Sequence, residues 1–142
     1  MYNIYGEIMF EIKDGKGYIK DYNRDGNLEF EGEYLNGERN GKGKNYYRNN
    51  NIKFEGKYLN GEKNGKGKEY DYDGNLLFEG EYLNEERNGK GKEYYDGNLL
   101  FEGEYLNGRK WNGKGKEYDY NGKLKFEGEY LNGERNGKGK EY

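Results

Sequence analysis

Residues 54–74 read FEGKYLNGEKNGKGKEYDYDG, and this stretch decides the fold. Its first five residues alternate apolar or small residues with charged ones, which is the period of a β-strand with one solvated face. Two turn signals follow, Asn60-Gly61 and Asn64-Gly65. Residues 65–71 alternate again and predict a return strand, after which a last turn closes at Gly74. The stretch therefore predicts one β-hairpin and one connector.

The same unit recurs along the chain. Gly-Lys-Gly occurs six times, at a spacing of 24 residues except for one spacing of 26, and Phe-Glu-Gly occurs five times. A degenerate first copy begins at Ile4, and its Gly6 stands nine residues before Gly15. Self-similarity at a fixed period is typical of a repeat protein, so we expect residues 1–142 to form a single domain. The predicted units are 4–29, 30–53, 54–77, 78–100, 101–125 and 126–142.

Six stacked hairpins predict an all-β fold, a twisted single-layer antiparallel β-meander or solenoid of about twelve strands. No segment has helical periodicity, and the density of glycine disfavours helix. One residue is lost between Gly91 and Gly97, and one is gained between Gly108 and Gly113. We expect both changes to lie in loops, where they spare the strand register.

Asn50 and Glu85 stand where other units have a turn glycine, and Asn tolerates a positive φ better than most residues.

Aromatic residues and glycines share one face of the predicted strands. With no side chain at Gly32, Gly43 and their repeats, rings from neighbouring strands can lie flat over the backbone and form one ladder. The ladder comprises Phe30, Tyr34, Phe54, Tyr58, Phe78, Tyr82, Phe101, Tyr105, Phe126 and Tyr130, extended at one end by Leu28, Ile52, Leu76, Leu99 and Leu124. First strands carry Glu and return strands carry Lys on the other face, so acidic and basic rows should alternate.

The composition excludes several classes of chemistry. The 142 residues use twelve residue types, and Cys, His, Ser and Thr are absent. Disulfides, thiolate metal sites and hydroxyl nucleophiles are therefore excluded, together with histidine acid–base catalysis. The glutamates recur with the strand period, which indicates a solvated face and singles out no catalytic pair. We predict no catalytic residue, no metal site and no cofactor.

Three further classes of ligand are disfavoured. Residues 21–26 match the first half of a calcium-binding EF-hand loop, but position 12 is Gly32 instead of a bidentate glutamate, so a turn is expected. With 25 basic and 28 acidic residues the net charge is −3, which argues against nucleic acid and weakens attraction to anionic lipid. The absence of a long apolar run and of a secretion signal favours a cytoplasmic location.

These residues carry a family resemblance. Residues 54–74 match Tyr/Phe-x-Gly-x4-Gly-x3-Gly-x-Gly-x6-Gly at every position, which resembles the MORN repeat (Membrane Occupation and Recognition Nexus). Ile4 and Glu85 depart from the pattern, and Tyr70 and Tyr72 sit one place later than usual, as in a bacterial-type variant of the repeat. The resemblance implies a twisted, grooved β-solenoid that binds proteins, often dimerises and has no activity of its own.

The first functional hypothesis is a non-catalytic scaffold that binds a protein partner or a second copy, through the aromatic face or by end-to-end strand pairing. The candidate contact residues are Tyr34, Tyr58, Tyr82, Tyr105, Tyr130, Phe54, Phe78, Phe101 and Trp111. For the tyrosines the alternative is core packing, and for Trp111 it is a ring folded back on its turn. The rival functions are binding of choline or a glucan between hairpins and peripheral association with a membrane.

Overall fold

The computed structural model describes residues 7–13, 15–119, 121–136 and 139–142. These residues form one open antiparallel sheet in which each strand pairs with the next along the chain, except that the last strand pairs with the one two places before it. The strands are β1 Glu7–Lys13, β2 Lys16–Tyr22, β3 Leu28–Leu35, β4 Glu38–Tyr46, β5 Ile52–Leu59, β6 Glu62–Tyr70, β7 Leu76–Leu83, β8 Glu86–Tyr95, β9 Asn98–Leu106, β10 Arg109–Tyr118, β11 Leu124–Leu131, β12 Glu134–Arg135 and β13 Lys140–Glu141. Since β12 and β13 both pair with β11, they share one place at the edge of the sheet, and the predicted meander of about twelve strands is confirmed.

Two-residue turns close the hairpins. In the turn between β3 and β4, Asn36 and Gly37 both have positive φ, 51° and 85°. This conformation matches the right-handed twist of the flanking strands and explains why Asn-Gly recurs at these corners. Glu85 adopts a φ of 77° at the glycine position, which is strained for a residue with a Cβ.

A second kind of turn connects one hairpin to the next. In the connector after β6, Asp71 Oδ1 accepts hydrogen bonds from the backbone N–H groups of Asp73 and Asn75. Asn23 closes the first connector in the same way, so the EF-hand-like segment is a turn, as expected. Asn50 takes the glycine position with a φ of 70°, which confirms its predicted conformation.

The core lies on one face of the sheet. Because side chains alternate along a strand, Phe30, Gly32 and Tyr34 share a face that we call the ring face. The Phe30 ring lies directly over Gly43 of the next strand, where a Cβ would come within 2.7 Å of its Cε1. The predicted packing of rings over glycine is thus confirmed, and the same contact recurs in the later hairpins.

The rings also contact one another along the sheet. Phe54 meets Tyr58 of its own strand and Tyr82 of the next hairpin, both edge to face. From Phe30 to Tyr130 these contacts have centroid separations of 5.0 to 6.0 Å and interplanar angles of 81 to 89°. Such edge-to-face pairs stabilise by about 0.5–1.5 kcal/mol each beyond the area they bury. The ladder therefore joins the hairpins into one continuous core. The predicted extensions Leu28, Ile52, Leu76, Leu99 and Leu124 are half-buried.

The two changes of length have different outcomes. The residue lost before Gly97 shortens the connector to a two-residue turn, and Gly91 keeps its pairing with Gly103. The residue gained lies inside β10 instead of a loop, because Trp111 forms a bulge between Lys110 and Asn112. Gly103 consequently pairs with Gly113, whereas Gly80, its counterpart in β7, pairs with Gly91. The prediction that this insertion spares the register was wrong. One extra residue, Trp111, stands against β9, whereas β8 sets two extra residues against β7 between the pairs of Tyr82 and Gly80.

The first hairpin departs from the others. Ile4 and Gly6 lie outside the described residues. Gly17 pairs with Tyr34 as Gly41 pairs with Tyr58, so the first Gly-Lys-Gly is displaced by two residues and accounts for the spacing of 26. Ile19 is buried at the place that glycine holds in later hairpins.

We predict that Gly67→Ala destabilises the protein by about 2 kcal/mol, because overpacking forces rings or backbone to move. A Cβ at Gly67 would lie 2.6 Å from Phe54 Cε1 and 3.1 Å from Tyr82 Cε2. Urea unfolding measures the change. Lys66→Ala, an exposed neighbour on the opposite face, is the control and should have little effect. Equal stabilities of the two variants would contradict the packing of rings over glycine.

We predict that Glu85→Gly stabilises the protein by about 1 kcal/mol through relief of backbone strain. Loss of the 2.7 Å hydrogen bond from the Lys63 N–H to Glu85 Oε2 offsets part of this gain. Gly61→Glu is the reciprocal variant and should destabilise the protein, because φ at this position is 85°. A Cβ at Gly61 would meet nothing within 4 Å, so the effect comes from the backbone conformation alone. Thermal unfolding of both variants measures the effect, and destabilisation by both would refute it.

Candidate interaction groove

The ring face is closed. Phe78 and Phe101 have no exposed surface, Phe54 and Tyr58 are 1% and 4% exposed, and Tyr34, Tyr82, Tyr105 and Tyr130 are also buried. The expectation of an uncovered aromatic face is therefore corrected. These eight residues belong to the core, together with Ile19, Phe30 and Phe126. Their assignment as partner-binding residues stays a prediction, and their burial gives it no support.

Basic side chains cover the rings. The Arg39 guanidinium carbon lies 3.8 Å from the Phe30 ring centroid, and the Lys63 ammonium lies 4.3 Å from that of Phe54. Arg87, Lys110 and Arg135 repeat the contact over Phe78, Phe101 and Phe126. A cation over an aromatic face is attracted by the ring quadrupole, and the aliphatic stem excludes water. This row explains how a single-layer sheet buries its aromatic face.

Carboxylates fix the covering cations. Arg87 binds both oxygens of Glu69, at 2.9 and 3.2 Å, and donates a third hydrogen bond to Glu93 at 3.0 Å. The Tyr82 hydroxyl also donates to Glu69. Burial opposes ionisation of Glu69, but the hydrogen bonds from Arg87 and Tyr82 prevail and lower its pKa. Around Arg87 the ring face thus ends in a hydrogen-bonded polar layer, which is a structural role.

The opposite face carries a groove. It has a volume of about 1370 Å³ and extends from Tyr18 on β2 to Lys114 on β10. Nine strands about 4.8 Å apart make it roughly 40 Å long. Its floor is the backbone at the paired glycines, such as Gly56 and Gly67, and its walls are glutamate and lysine side chains. This surface is accessible and concave, and we call it the groove face.

The charges of the walls follow the strand order. On the first wall, Lys44 pairs with Glu31 on one side and Glu55 on the other, and the alternation continues to Glu102. The predicted alternating rows are confirmed there. The second wall reads Glu33, Lys42, Lys57, Lys66, Glu81, Lys90 and Glu104. Lys57 breaks its alternation, because the equivalent residue of the neighbouring first strands is glutamate.

Tyrosines flank the first wall. The Tyr70 hydroxyl donates to Glu55 Oε1 at 2.7 Å, and that of Tyr94 donates to Glu79 Oε1 at 2.8 Å. Tyr46 bonds Glu31 in the same way. These tyrosines orient the groove glutamates, a role that the sequence reasoning missed. The shifted position of Tyr70 in the repeat was the available signal, since it changes the face on which the ring lies.

Leucines flank the second wall on the same face. Leu59 follows Lys57 by two residues along β5 and is 49% exposed. Leu83, Leu106 and Leu131 recur at the same position and are also exposed. Trp111 is 38% exposed at its bulge, which agrees with the hypothesis of an exposed contact residue but does not place it among the groove-lining residues. A charged groove therefore lies beside a row of accessible apolar side chains.

A hairpin repeat with one closed face and one grooved face defines a class of open β-sheet repeat proteins. The MORN repeat family matches residues 30–52, 54–76, 78–99 and 126–142, which is more than half of the chain, and the chain belongs to this family. The match omits residues 101–125, the unit with the Trp111 insertion and the shifted register. Comparison of the sequence with curated proteins found no match.

MORN repeats are generally interaction or membrane-association modules and are typically non-enzymatic. Within the described ranges, no group of three or more acidic side chains is arranged to hold a metal ion. A search of the same residues for a helix long and apolar enough to cross a membrane finds none.

We predict that stability falls steeply at alkaline pH. Burial raises the pKa of Tyr58, Tyr70 and Tyr94 to about 12, and hydrogen bonds to glutamate add to the shift at Tyr70 and Tyr94. An unfolded tyrosine has a pKa of about 10. Because the folded pKa is the higher one, this stabilisation is complete below about pH 10 and is lost as the pH rises through about 12.

Urea unfolding between about pH 8 and pH 12 checks this, with the decline expected above about pH 10. Tyr70→Phe should make the decline shallower, whereas Tyr95→Phe, at an exposed position, should leave it unchanged. A free energy of unfolding that stays constant up to about pH 12 would contradict the assignment.

Proposed function

We propose that this chain is a non-catalytic interaction module whose groove face receives an elongated segment of a protein partner. The observation that carries the proposal is the continuous groove over nine strands, with charged walls and a leucine row beside it. Because the ring face is closed by its own cations, the groove face is the surface that remains for a ligand.

The groove has features suited to polypeptide recognition. Its floor at Gly56 and Gly67 is backbone, so a partner chain can approach the sheet closely. The walls present both signs of charge in a fixed order. Such a pattern determines how a partner chain is aligned along the groove more than it raises the affinity. Leu59, Leu83 and Leu106 supply the apolar contact that a charged groove alone lacks.

The test uses the absence of cysteine from the chain. A single cysteine replacing Lys68 in the groove, or Asp73 in an exposed connector, is coupled to a bulky maleimide. Affinity capture is performed with both labelled proteins and with the unlabelled one. A partner that binds through the groove is lost when position 68 is labelled and retained when position 73 is labelled. Partners retained equally by both labelled proteins would refute the groove as the binding site.

A second copy of the chain is an alternative occupant of the groove, and the same labelled proteins test this prediction. The sheet has two outer edges among the described residues, β1 and the β12–β13 strand, so end-to-end pairing is a second way to associate. Light scattering of the two labelled proteins distinguishes the modes, since a dimer through the groove dissociates on labelling at position 68 and a dimer through the edges does not. Binding of choline or a glucan and peripheral membrane association stay predictions, and neither has an observation here that favours it.

A further inference from the structure

Three lysines stand side by side on the second wall of the groove. Lys57 on β5 pairs directly with Lys42 on β4, and Lys66 on β6 follows on the other side. All three side chains are exposed and line the groove, and we call them the lysine cluster. Like charges directly opposite each other in a sheet are destabilising, whereas opposite charges are stabilising. The cluster therefore lowers the stability of the sheet, while the pairs of glutamate and lysine elsewhere on the walls raise it.

The cluster also lacks a hydrogen-bond acceptor that equivalent hairpins possess. In the hairpin of β3 and β4, the Lys42 N–H donates to the Glu33 carboxylate at 3.4 Å. In that of β7 and β8, the Lys90 N–H donates to Glu81 at 3.0 Å. Lys66 holds the equivalent bulge position, but Lys57 stands in place of the glutamate, and an ammonium group cannot accept a hydrogen bond.

These two observations define a site for one carboxylate. The Lys57 side chain itself follows the path of that glutamate, with its Cδ 3.5 Å from the place that a Cβ at Gly65 would take. A partner carboxylate would therefore lie above the cluster and contact the exposed lysine side chains. Charge-assisted hydrogen bonds of this kind are the strong ones in proteins. We infer that the lysine cluster anchors an acidic side chain of the partner segment in the groove, an inference that rests on the proposed function.

An acidic polypeptide fits this site better than a phosphate-bearing surface. The site lies between the two walls of the groove, which a chain can enter and a flat bilayer cannot. Glu33 and Glu81 bound the cluster along its own wall, and Glu55 lies on the facing wall. The cluster is therefore the part of this wall where lysines follow one another without a glutamate between them. Leu59 lies next to Lys57 and offers an apolar contact to a residue neighbouring the acid.

The probe is a fluorescent acetylated hexaglutamate peptide, titrated at low and at moderate salt. We expect it to bind the wild-type chain and to weaken with salt, because the contacts are between exposed charges. Lys57→Glu restores the alternation and should weaken binding about tenfold or more while the thermal midpoint stays equal or rises. Lys53→Glu makes the same charge change on β5 outside the groove lining and should change binding less than about twofold.

A charge exchange makes the test specific to position. The double variant Lys57→Glu with Glu81→Lys keeps the net charge and moves the cluster to the positions of Lys66, Glu81 and Lys90. We expect binding to return, with the peptide-dependent amide shift in NMR spectra moving from Lys66 to Lys90. Binding that follows net charge alone, unaffected by the position of the lysine, would overturn the assignment.

The remaining outcomes separate this inference from the proposed function. If hexaglutamate binds none of the variants while the groove label at position 68 still removes a partner, the acidic anchor is wrong and the groove function stands. If phosphatidylserine vesicles bind the wild type in flotation and hexaglutamate does not, the cluster recognises a lipid headgroup and the acidic-segment assignment is overturned.

Discussion

The contact of a phenylalanine ring with a strand glycine is the interaction on which this structure depends. The Phe54 ring occupies the space that a Cβ at Gly67 would need, and Tyr82 closes the same space from the next hairpin. One glycine therefore lets two rings meet across neighbouring units. Because each ring contacts both its own hairpin and the following one, the core is continuous although the chain is only 30% hydrophobic. Glycine weakens a strand locally, and the ladder offsets that cost.

The covering of the rings also decides which face of the sheet stays accessible. The rings are buried only because Arg39 and its repeats lie over them, held by carboxylates such as Glu69 and Glu93. These charged groups cover the core and are hydrogen-bonded to one another. The charges on the groove face are instead paired in rows around a glycine floor, which leaves their walls accessible. One face of this single-layer sheet therefore holds the core, and the other carries the groove that we propose as the binding surface.

Local signals predicted most of the fold and less of the candidate site. Asn36-Gly37 and the alternation after Phe30 are short-range features, so hairpins, turns and the ring ladder followed from them. The bulge at Trp111 was missed because an inserted residue can extend a turn or enter a strand, and only the pairing of both strands distinguishes these. A groove was expected from the family resemblance, but on the aromatic face. Its true face was missed because alternation shows that Glu55 and Lys57 share a face but not that this face is the concave one.

By itself the sequence determined the repeat, the strand order, the turn types and the partition of rings and charges between two faces. These properties depend on neighbours in the chain or on equivalent positions one period away. The tertiary structure alone decided that the ring face is closed and that the groove face is open. Both depend on which side chains of successive hairpins meet, such as Arg87 with Glu69 of the preceding unit, and on the curvature of the sheet. The sequence of a single repeat therefore predicts neither the curvature of the sheet nor the covering of the ring face.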